Sequence, residues 1–254
     1  MKINKIIFLP LLLWLVSCNE DVPQIQTENE VVAPLVSRIT IVDGYTNETR
    51  TEDYYYDDGL LTRINFGNGN HVVYKYENGQ LIGSAFFRNG EAESGISYVY
   101  RDGAVSTIHR TNTANFNGKA TEFEYVSDGP NSMVINVYSI EHDHRVLQHY
   151  SACSLENGNV VKEVRYNLDG TRKPYGSTAT FNNVIDPLGR LKGHPALGDA
   201  NMASSTIYYD NGAITSDHKL TNYQVNEHNY PESYELISSF NGEVIRSTYT
   251  YEYQ

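Results

Sequence analysis

The residues with the clearest chemical potential lie mid-chain, where Glu141, His142, Asp143 and His144 are consecutive. Residues two apart in a strand point to the same face, so His142 and His144 could ligate zinc or another transition metal. His149 has an odd offset and would face away unless a bulge or turn intervened. A metal-dependent hydrolase at His142 and His144 is one hypothesis, and a polar outer strand face is the other.

Other catalytic patterns are missing from the sequence. It contains no Gly-x-Ser-x-Gly elbow, no glycine-rich phosphate loop that opens a helix and no His-Glu-x-x-His. Carboxylates are plentiful, so a facing pair such as Asp57 and Glu77 gives no sign of a glycosidase. The sequence therefore predicts a non-enzymatic protein without a cofactor.

The N-terminal segment is typical of an export signal. Lys2 and Lys5 precede an 11-residue apolar run from Ile6 to Val16, which is too short to span a membrane as a helix. The run ends Leu15-Val16-Ser17-Cys18, which resembles a bacterial lipoprotein signal. That resemblance implies cleavage before Cys18, acylation of Cys18 and attachment to a membrane through the acyl chains. An ordinary signal peptide with an incidental cysteine is the alternative.

The segment after Cys18 is acidic and lacks periodicity. Asn19, Glu20 and Asp21 resemble the acidic tag that exports some Gram-negative lipoproteins to the cell surface. Loss of residues 1–17 removes Lys2 and Lys5, which moves the net charge from −12 to −14. Nucleic acid and anionic headgroups are poor partners at this charge. We predict a signal peptide over 1–17, a flexible tether over 18–36 and one domain over 37–254.

The predicted domain contains a single cysteine and is expected to lie in an oxidising compartment. Of the two cysteines in the chain, only Cys153 falls in the domain, so it has no disulfide partner there. No nucleophile motif surrounds it, and we predict a buried, apolar thiol.

Asx-Gly turns recur through the rest of the chain. They lie at Asp58-Gly59, Asn68-Gly69, Asn78-Gly79, Asn89-Gly90, Asp102-Gly103, Asn117-Gly118, Asp128-Gly129, Asn157-Gly158, Asp169-Gly170, Asn211-Gly212 and Asn241-Gly242. Such dipeptides favour type I′ turns, because both central residues take positive φ. The early spacing of 10 or 11 residues leaves about eight residues for each strand, which predicts an antiparallel meander.

Between the turns, aromatic residues alternate with polar ones. Tyr74-Lys75-Tyr76 and Tyr98-Val99-Tyr100 show this period of two, and so does the run from Tyr249 to Tyr253. Alternation places the aromatic side chains on one face of the sheet. With 21 tyrosines in the chain, most are expected to form the core, and a glycan-stacking platform is the alternative.

The repeated unit is an aromatic residue, one or two polar residues, Gly, a spacer and an apolar residue, as in Tyr76-Glu77-Asn78-Gly79-Gln80-Leu81. These units resemble the YD-type repeats of Rhs-like proteins. With the lipoprotein signal, the chain from about 40 to 254 also resembles a family of Gram-negative lipoproteins of unknown function with a porin-like fold, and the segments 181–189 and 223–231 fit that pattern. The resemblance transfers no catalytic residues. It is weakest at Ser127-Asp128-Gly129-Pro130 and over residues 171–203, a stretch expected to cap one end of the sheet.

About 15 to 18 strands fit in residues 37–254 at roughly 12 residues for each strand and turn. An open sheet of that size curls, so we predict an all-β fold, an antiparallel meander of YD-like hairpins curled into a half-open or closed barrel-like sheet. The expected function is a non-catalytic binding or scaffolding module, lipid-anchored at the outer membrane. Its expected partner is an envelope protein complex or a glycan. A transmembrane β-barrel remains an alternative, because hairpins with period-two alternation are also its signature.

Overall fold

The computed structural model describes residues 34–112, 120–142, 144–188, 191, 201–209, 214–240 and 242–254. The predicted signal peptide, Cys18 and nearly all of the predicted tether lie outside the described residues, as do the Asn117-Gly118 and Asn211-Gly212 turns. Val36, the last residue of the predicted tether, begins the first strand and is fully buried. Within the part of the chain that is described, no helix is long and apolar enough to cross a membrane.

Sixteen strands form the fold. They are β1 Val36–Val42, β2 Thr49–Asp57, β3 Leu60–Phe66, β4 His71–Glu77, β5 Gln80–Arg88, β6 Glu91–Arg101, β7 Ala104–Asn112, β8 Ala120–Ser127, β9 Ser132–Glu141, β10 His144–Glu156, β11 Asn159–Tyr166, β12 Arg172–Ile185, β13 Asn201–Tyr209, β14 Ile214–Val225, β15 Pro231–Phe240 and β16 Glu243–Tyr253. This number lies within the range that the sequence predicts.

The predicted hairpin turns account for the connections between many of these strands. At Asp58-Gly59, Asn78-Gly79, Asn89-Gly90, Asp102-Gly103 and Asn157-Gly158, both turn residues have positive φ, as type I′ turns require. At Gly69 and Gly170 only the glycine does, and its amide donates to a carbonyl three residues earlier. The prediction of type I′ turns is therefore confirmed for the two-residue connections and wrong for these longer ones.

The sheet closes on itself. Each strand pairs antiparallel with its neighbours in sequence, and β1 pairs with β16, so the strands form a closed barrel. The predicted all-β, barrel-like fold is confirmed, and of its two predicted forms the closed one is observed. We call the end at which β1 begins and β16 finishes the proximal end, and the opposite end the distal end.

The register identifies which side chains face the barrel interior, because directly paired residues share a face. Ile39 is buried in the core and pairs with Glu52 on one side and Tyr251 on the other. The same inward face passes through the Tyr54–Ile64 pair and continues around the sheet. The alternating tyrosines, including Tyr74, Tyr76, Tyr98, Tyr100, Tyr125, Tyr249 and Tyr251, point inward.

The stretch from 171 to 203 is less irregular than its composition suggests. Strand β12 occupies Arg172–Ile185, and β13 begins at Asn201. Beyond Phe181, where the pairing of β12 with β13 becomes irregular, Val184 and Leu191 join the buried cluster that contains Val36, and Leu188 packs against it. The amide of Ile185 also donates to the Asn229 carbonyl in the β14–β15 connection. Val184, Leu188 and Leu191 therefore cover the proximal end of the core, and residues 189–190 and 192–200 of the predicted cap lie outside the described residues.

Candidate functional site in the barrel lumen

The outer face of the barrel is charged. Outward residues with a charge occur on most strands at Arg38, Asp53, Arg63, Lys75, Glu122, Glu124, Arg145, Lys162, Asp217, Lys219, Glu235 and Arg246. Arg38 Nε donates to Asp53 Oδ1 at 2.6 Å, and Lys219 Nζ lies 2.9 Å from Asp217 Oδ2. Several of these residues occupy the middle of their strands, so the charge is not confined to the barrel rims.

The densest outward network joins β8, β9 and β10. Arg145 Nη2 lies 2.5 Å from Glu122 Oε1 and 3.3 Å from Glu124 Oε1. Glu124 also accepts hydrogen bonds from Asn136 Nδ2 at 3.1 Å and Tyr138 Oη at 2.9 Å. These bonds, ahead of the guanidinium of Arg145, hold the pKa of Glu124 below its usual range. The polar groups of this network hydrogen-bond to one another, so the network is a structural feature of the wall.

The inner face is rich in tyrosine, and the tyrosine hydroxyls link successive hairpins. Tyr76 Oη donates to the Leu61 carbonyl at 2.9 Å, and Tyr100 Oη donates to the Leu81 carbonyl at 2.7 Å. In each case the aromatic residue before one proximal turn donates to the carbonyl of the apolar residue after the previous turn at the same end of the barrel. Burial raises the pKa of Tyr74 to about 12, so this inward phenol stays neutral. The alternating tyrosines are thus part of the interior, and they form no platform on the outer face.

A compact polar cluster interrupts this interior on β10, β11 and β12. The carboxylate of Glu163 accepts hydrogen bonds from Ser151 Oγ at 2.8 Å, Arg165 Nε at 2.7 Å and Ser177 Oγ at 3.3 Å. Ser151 is only 2% exposed. We call Ser151, Glu163, Arg165 and Ser177 the lumenal cluster. Donors from three adjacent strands converge on Glu163, so its carboxylate fixes the position of Arg165.

Two further basic side chains lie next to the lumenal cluster, towards the distal end. Ser151 pairs with Arg165, and Glu163 pairs with Ser177, so alternation places His149 and Lys173 next on the inward face. Burial lowers the pKa of His149, and the charges of Lys173 and Arg165 lower it further. The guanidinium carbon of Arg165 lies 5.3 Å from the ring centroid of Tyr175. The lumen here carries three basic groups and one carboxylate.

The titration of the cluster follows from its contacts. Burial opposes ionisation of Glu163, but the hydrogen bonds from Arg165 and Ser151 outweigh it, so the pKa of Glu163 is lowered. Cys153 lies two residues from Ser151 on the same face and is 3% exposed. Burial, with a smaller contribution from Glu163, raises the pKa of its thiol to about 11. The prediction of a buried, apolar cysteine is confirmed, and the thiol is protonated at neutral pH.

Cavities open where neighbouring strands separate near the proximal end. One of about 590 Å³ lies between β7 and β8, beyond their last pair, Thr107 and Glu124, and is lined by residues that include Tyr125, Met133 and Leu155. A second, of about 620 Å³, lies beside β11 and β12, with Val161 and Phe181 in its lining. Neither is lined by His149, Arg165 or Lys173.

The histidines predicted as metal ligands do not share a strand face. His142 lies in the β9–β10 turn with positive φ, and His144 is the first residue of β10. A bulge between Leu147 and His149 turns the His149 side chain into the lumen. The sequence predicts that His149 can share a face with His144 only if such a bulge occurs. No group of three or more His, Cys, Asp or Glu side chains in the described ranges could hold a metal ion. The expectation that His142 and His144 share one face is therefore wrong.

Sequence reasoning missed the lumenal cluster. Its members come from three strands, and none belongs to a motif. One local signal was available, because Glu163 and Arg165 are two apart on a single strand and therefore share a face. An opposite-charge pair on one strand face is such a signal, and Arg50 and Glu52 on β2 repeat it on the inward face of the barrel.

These observations define the class of protein: a closed antiparallel barrel of sixteen strands with a charged outer face and a tyrosine-rich interior. No family model matches the chain, and no curated protein matches it. Among solved structures, it is similar to a porin-like protein from Bacteroides vulgatus, with a TM-score of 0.56 and 13% identity over 87% of this chain and 99% of that one. It also matches TcdB2-TccC3-TEV with a TM-score of 0.36 and 13% identity, over 67% of this chain and 10% of that one, which is too low to support an argument.

The likeness to a porin-like protein concerns the fold alone. It agrees with the porin-like fold that the sequence resemblance implies. Acylation of Cys18 and kinship with YD-type repeats stay predictions.

Proposed function

We propose that this protein is an envelope lipoprotein, held at the outer membrane by acyl chains on Cys18, with its barrel outside the bilayer. In this arrangement the barrel is a non-catalytic binding or scaffolding module. The N-terminal signal supports the anchor, and the charged outer face supports the position of the barrel.

The outward charges are the observation that carries the proposal. A transmembrane barrel presents an apolar band about 25 Å tall to the lipid. Here Arg63 and Lys75 lie in the middle of β3 and β4 with exposed, outward side chains, and Arg38 and Lys219 do so on β1 and β14. Each Lys or Arg on a lipid face near the midplane costs about 2–4 kcal/mol. An aqueous environment removes that penalty, and an N-terminal lipid then provides the membrane attachment.

Replacement of the anchor residue tests this proposal. We expect the Cys18→Ala protein, exported in a Gram-negative host behind an ordinary cleavable signal peptide in place of residues 1–17, to leave the membrane fraction and appear in the soluble periplasmic fraction. The matched control is Cys153→Ala, which removes the other cysteine and keeps the anchor. That protein should remain with the membranes and be released by detergent. Retention of Cys18→Ala in carbonate-washed membranes would contradict the proposal.

A transmembrane β-barrel is the second candidate, favoured by complete closure of the sheet and by similarity to a porin-like protein. Strands of seven to fourteen residues include lengths that suffice for a tilted span. This candidate predicts that the barrel stays in carbonate-washed membranes whether or not Cys18 is present. The same fractionation therefore separates the two.

The proposed partner is an envelope protein or a soluble ligand. Crosslinking of the native protein in its own membranes, followed by affinity purification and mass spectrometry, should recover a stoichiometric envelope protein if the barrel is a scaffold. Recovery of the protein alone would assign its role to direct ligand binding.

A further inference from the structure

We propose that the distal half of the lumen binds a small ligand through an oxyanion, a carboxylate or a phosphate, held by Arg165, Lys173 and His149. This inference rests on the proposed binding function and specifies the chemistry of the ligand.

Within the described part of the chain, no ion pair joins Lys173 or His149 to a carboxylate. Glu163 accepts hydrogen bonds from Ser151, Ser177 and Arg165, so its oxygens are already engaged. One carboxylate therefore neutralises Arg165, while Lys173 and His149 add further basic groups beside it. A basic cluster in the interior of a chain with a net charge of −12 calls for an anion from outside the cluster.

The register brings the three basic residues to neighbouring positions. His149 lies on β10, Arg165 on β11 and Lys173 on β12, and these strands are adjacent in the barrel. All three follow the inward face that is set by the Ser151–Arg165 and Glu163–Ser177 pairs. Three strands thus direct basic groups towards one part of the lumen, and the bulge at Leu147/His149 is what turns His149 inward.

The side chains also keep contact with solvent. The side chain of Arg165 is 39% exposed and that of Glu163 is 21% exposed, although both face inward. On the opposite side of the barrel, inward residues such as Ile39 and Leu61 are 3% and 1% exposed. Space for a ligand therefore lies next to Arg165, with the Tyr175 ring beside its guanidinium.

The geometry of Arg165 favours an oxyanion over other ligands. Nε is occupied by Glu163 and the side chain also interacts with the Tyr175 hydroxyl, which together fix the plane of the guanidinium and leave its remaining N–H groups as donors. Arginine pairs well with the planar edge of a carboxylate or with phosphate oxygens, and a lysine ammonium adds a compact positive charge. Carboxylates and phosphates share this recognition, so the two are separated by experiment.

The test is calorimetric titration of the full-length protein in detergent with inorganic phosphate, glucuronate and glucose. We expect saturable heat with phosphate or glucuronate, weakened by added salt, and none with glucose, which lacks the oxyanion. Preference for phosphate identifies a phosphate ligand, and preference for glucuronate identifies a carboxylate.

Matched variants locate the binding. Lys173→Gln removes a charge without disturbing the Glu163 hydrogen bonds and should weaken binding roughly tenfold, as expected for loss of a charge-assisted contact. His149→Asn removes a neutral imidazole, because the pKa of His149 is lowered, and should weaken binding less. Arg165→Lys keeps the charge but loses the fork and should weaken it as well. The control is Lys162→Gln, which removes the same charge from the outer face of β11 and should leave affinity unchanged.

The proposal would be overturned if neither anion binds saturably to the folded protein. It would also be overturned if Lys162→Gln and Lys173→Gln lower the binding affinity equally. Far-ultraviolet circular dichroism confirms that each variant is folded. Failure here leaves the result of the Cys18→Ala fractionation intact, so the ligand proposal and the anchor proposal fail separately.

Discussion

Two sectors of the barrel interior differ sharply, although both are built from the same kind of hairpin. The packed sector, formed by β15, β16 and β1–β3, buries Ile39, Leu61 and Tyr251 in a continuous apolar cluster. The polar sector, formed by β10–β12, places Glu163 and Arg165 on the equivalent face. Both sectors are built from paired antiparallel strands with bulges, and they differ in their inward side chains.

This contrast separates stability from function within one barrel. Apolar burial at about 25 cal/mol per Å² makes the packed sector the main source of folding free energy. In the polar sector, side chains hold each other through directed bonds and leave solvent beside them. A barrel that was packed alike on all sides would leave no room for a ligand.

The largest expected effect comes from a cavity in the packed sector. Leu61→Ala removes a side chain that is 1% exposed, and we expect the free energy of unfolding to fall by about 2–5 kcal/mol. Leu155→Ala is the matched control, because Leu155 is half-buried and lines an existing cavity near the polar sector. Urea unfolding monitored by tyrosine fluorescence gives both values, and equal losses would erase the distinction between the sectors.

The wall of the polar sector should be as intolerant of added volume as a core. A Cβ at Gly176 would lie 2.7 Å from the backbone oxygen of Glu163, which cannot move aside as a side chain can. We expect Gly176→Ala to lower the free energy of unfolding by about 1–3 kcal/mol. In Gly95→Ala the new Cβ would meet the hydroxyl of Thr111 at 3.1 Å, so thermal denaturation should show a smaller loss.

The lumenal cluster should make stability depend on pH. Because the pKa of folded Glu163 is lowered, its contribution is present above the unfolded value of about 4.3 and is lost as the pH falls through the folded value. Glu163→Gln should therefore lower stability at pH 7 by about 1.5 kcal/mol and flatten this part of the profile. Urea unfolding at intervals from pH 3 to 7 measures this dependence of stability on pH.

Two serines on β10 provide the comparison for that profile. Ser151→Ala removes a donor to Glu163 and should shrink the pH-dependent component, whereas Ser154→Ala changes the outer face and should preserve it. A profile that is identical in Glu163→Gln and the unmodified protein would show that the cluster contributes nothing to stability.

The smallest expected effect concerns the tyrosine links between hairpins. Tyr100→Phe deletes the hydrogen bond to the Leu81 carbonyl and should lower the free energy of unfolding by about 0.5–1.5 kcal/mol. Tyr55→Phe removes an outward hydroxyl on a side chain that is 47% exposed, and we expect almost no change. Equal effects would mean that the inward hydroxyls do not join the repeats.

Local rules in the sequence predicted most of the wall. Turns such as Asn78-Gly79 fix hairpins because both residues accept positive φ, and alternation at Tyr74 and Tyr76 fixes sidedness. The interior was harder, because the Glu163 cluster depends on the register between three strands, and no local motif marks the residues that this register brings together. The bulge near His149 reverses the side that simple alternation assigns to it, and no residue type marks that bulge.

The junction between the first and last strands governs how the barrel can assemble. β16 pairs with β1, and the Gln254 amide donates to the Leu35 carbonyl at 2.9 Å. Until Glu243–Tyr253 has emerged, β1 keeps a free edge that is able to pair with other chains. Closure across so many residues is entropically slow. The chain is therefore most exposed to edge-to-edge aggregation in the interval before its last strand is available to close the barrel.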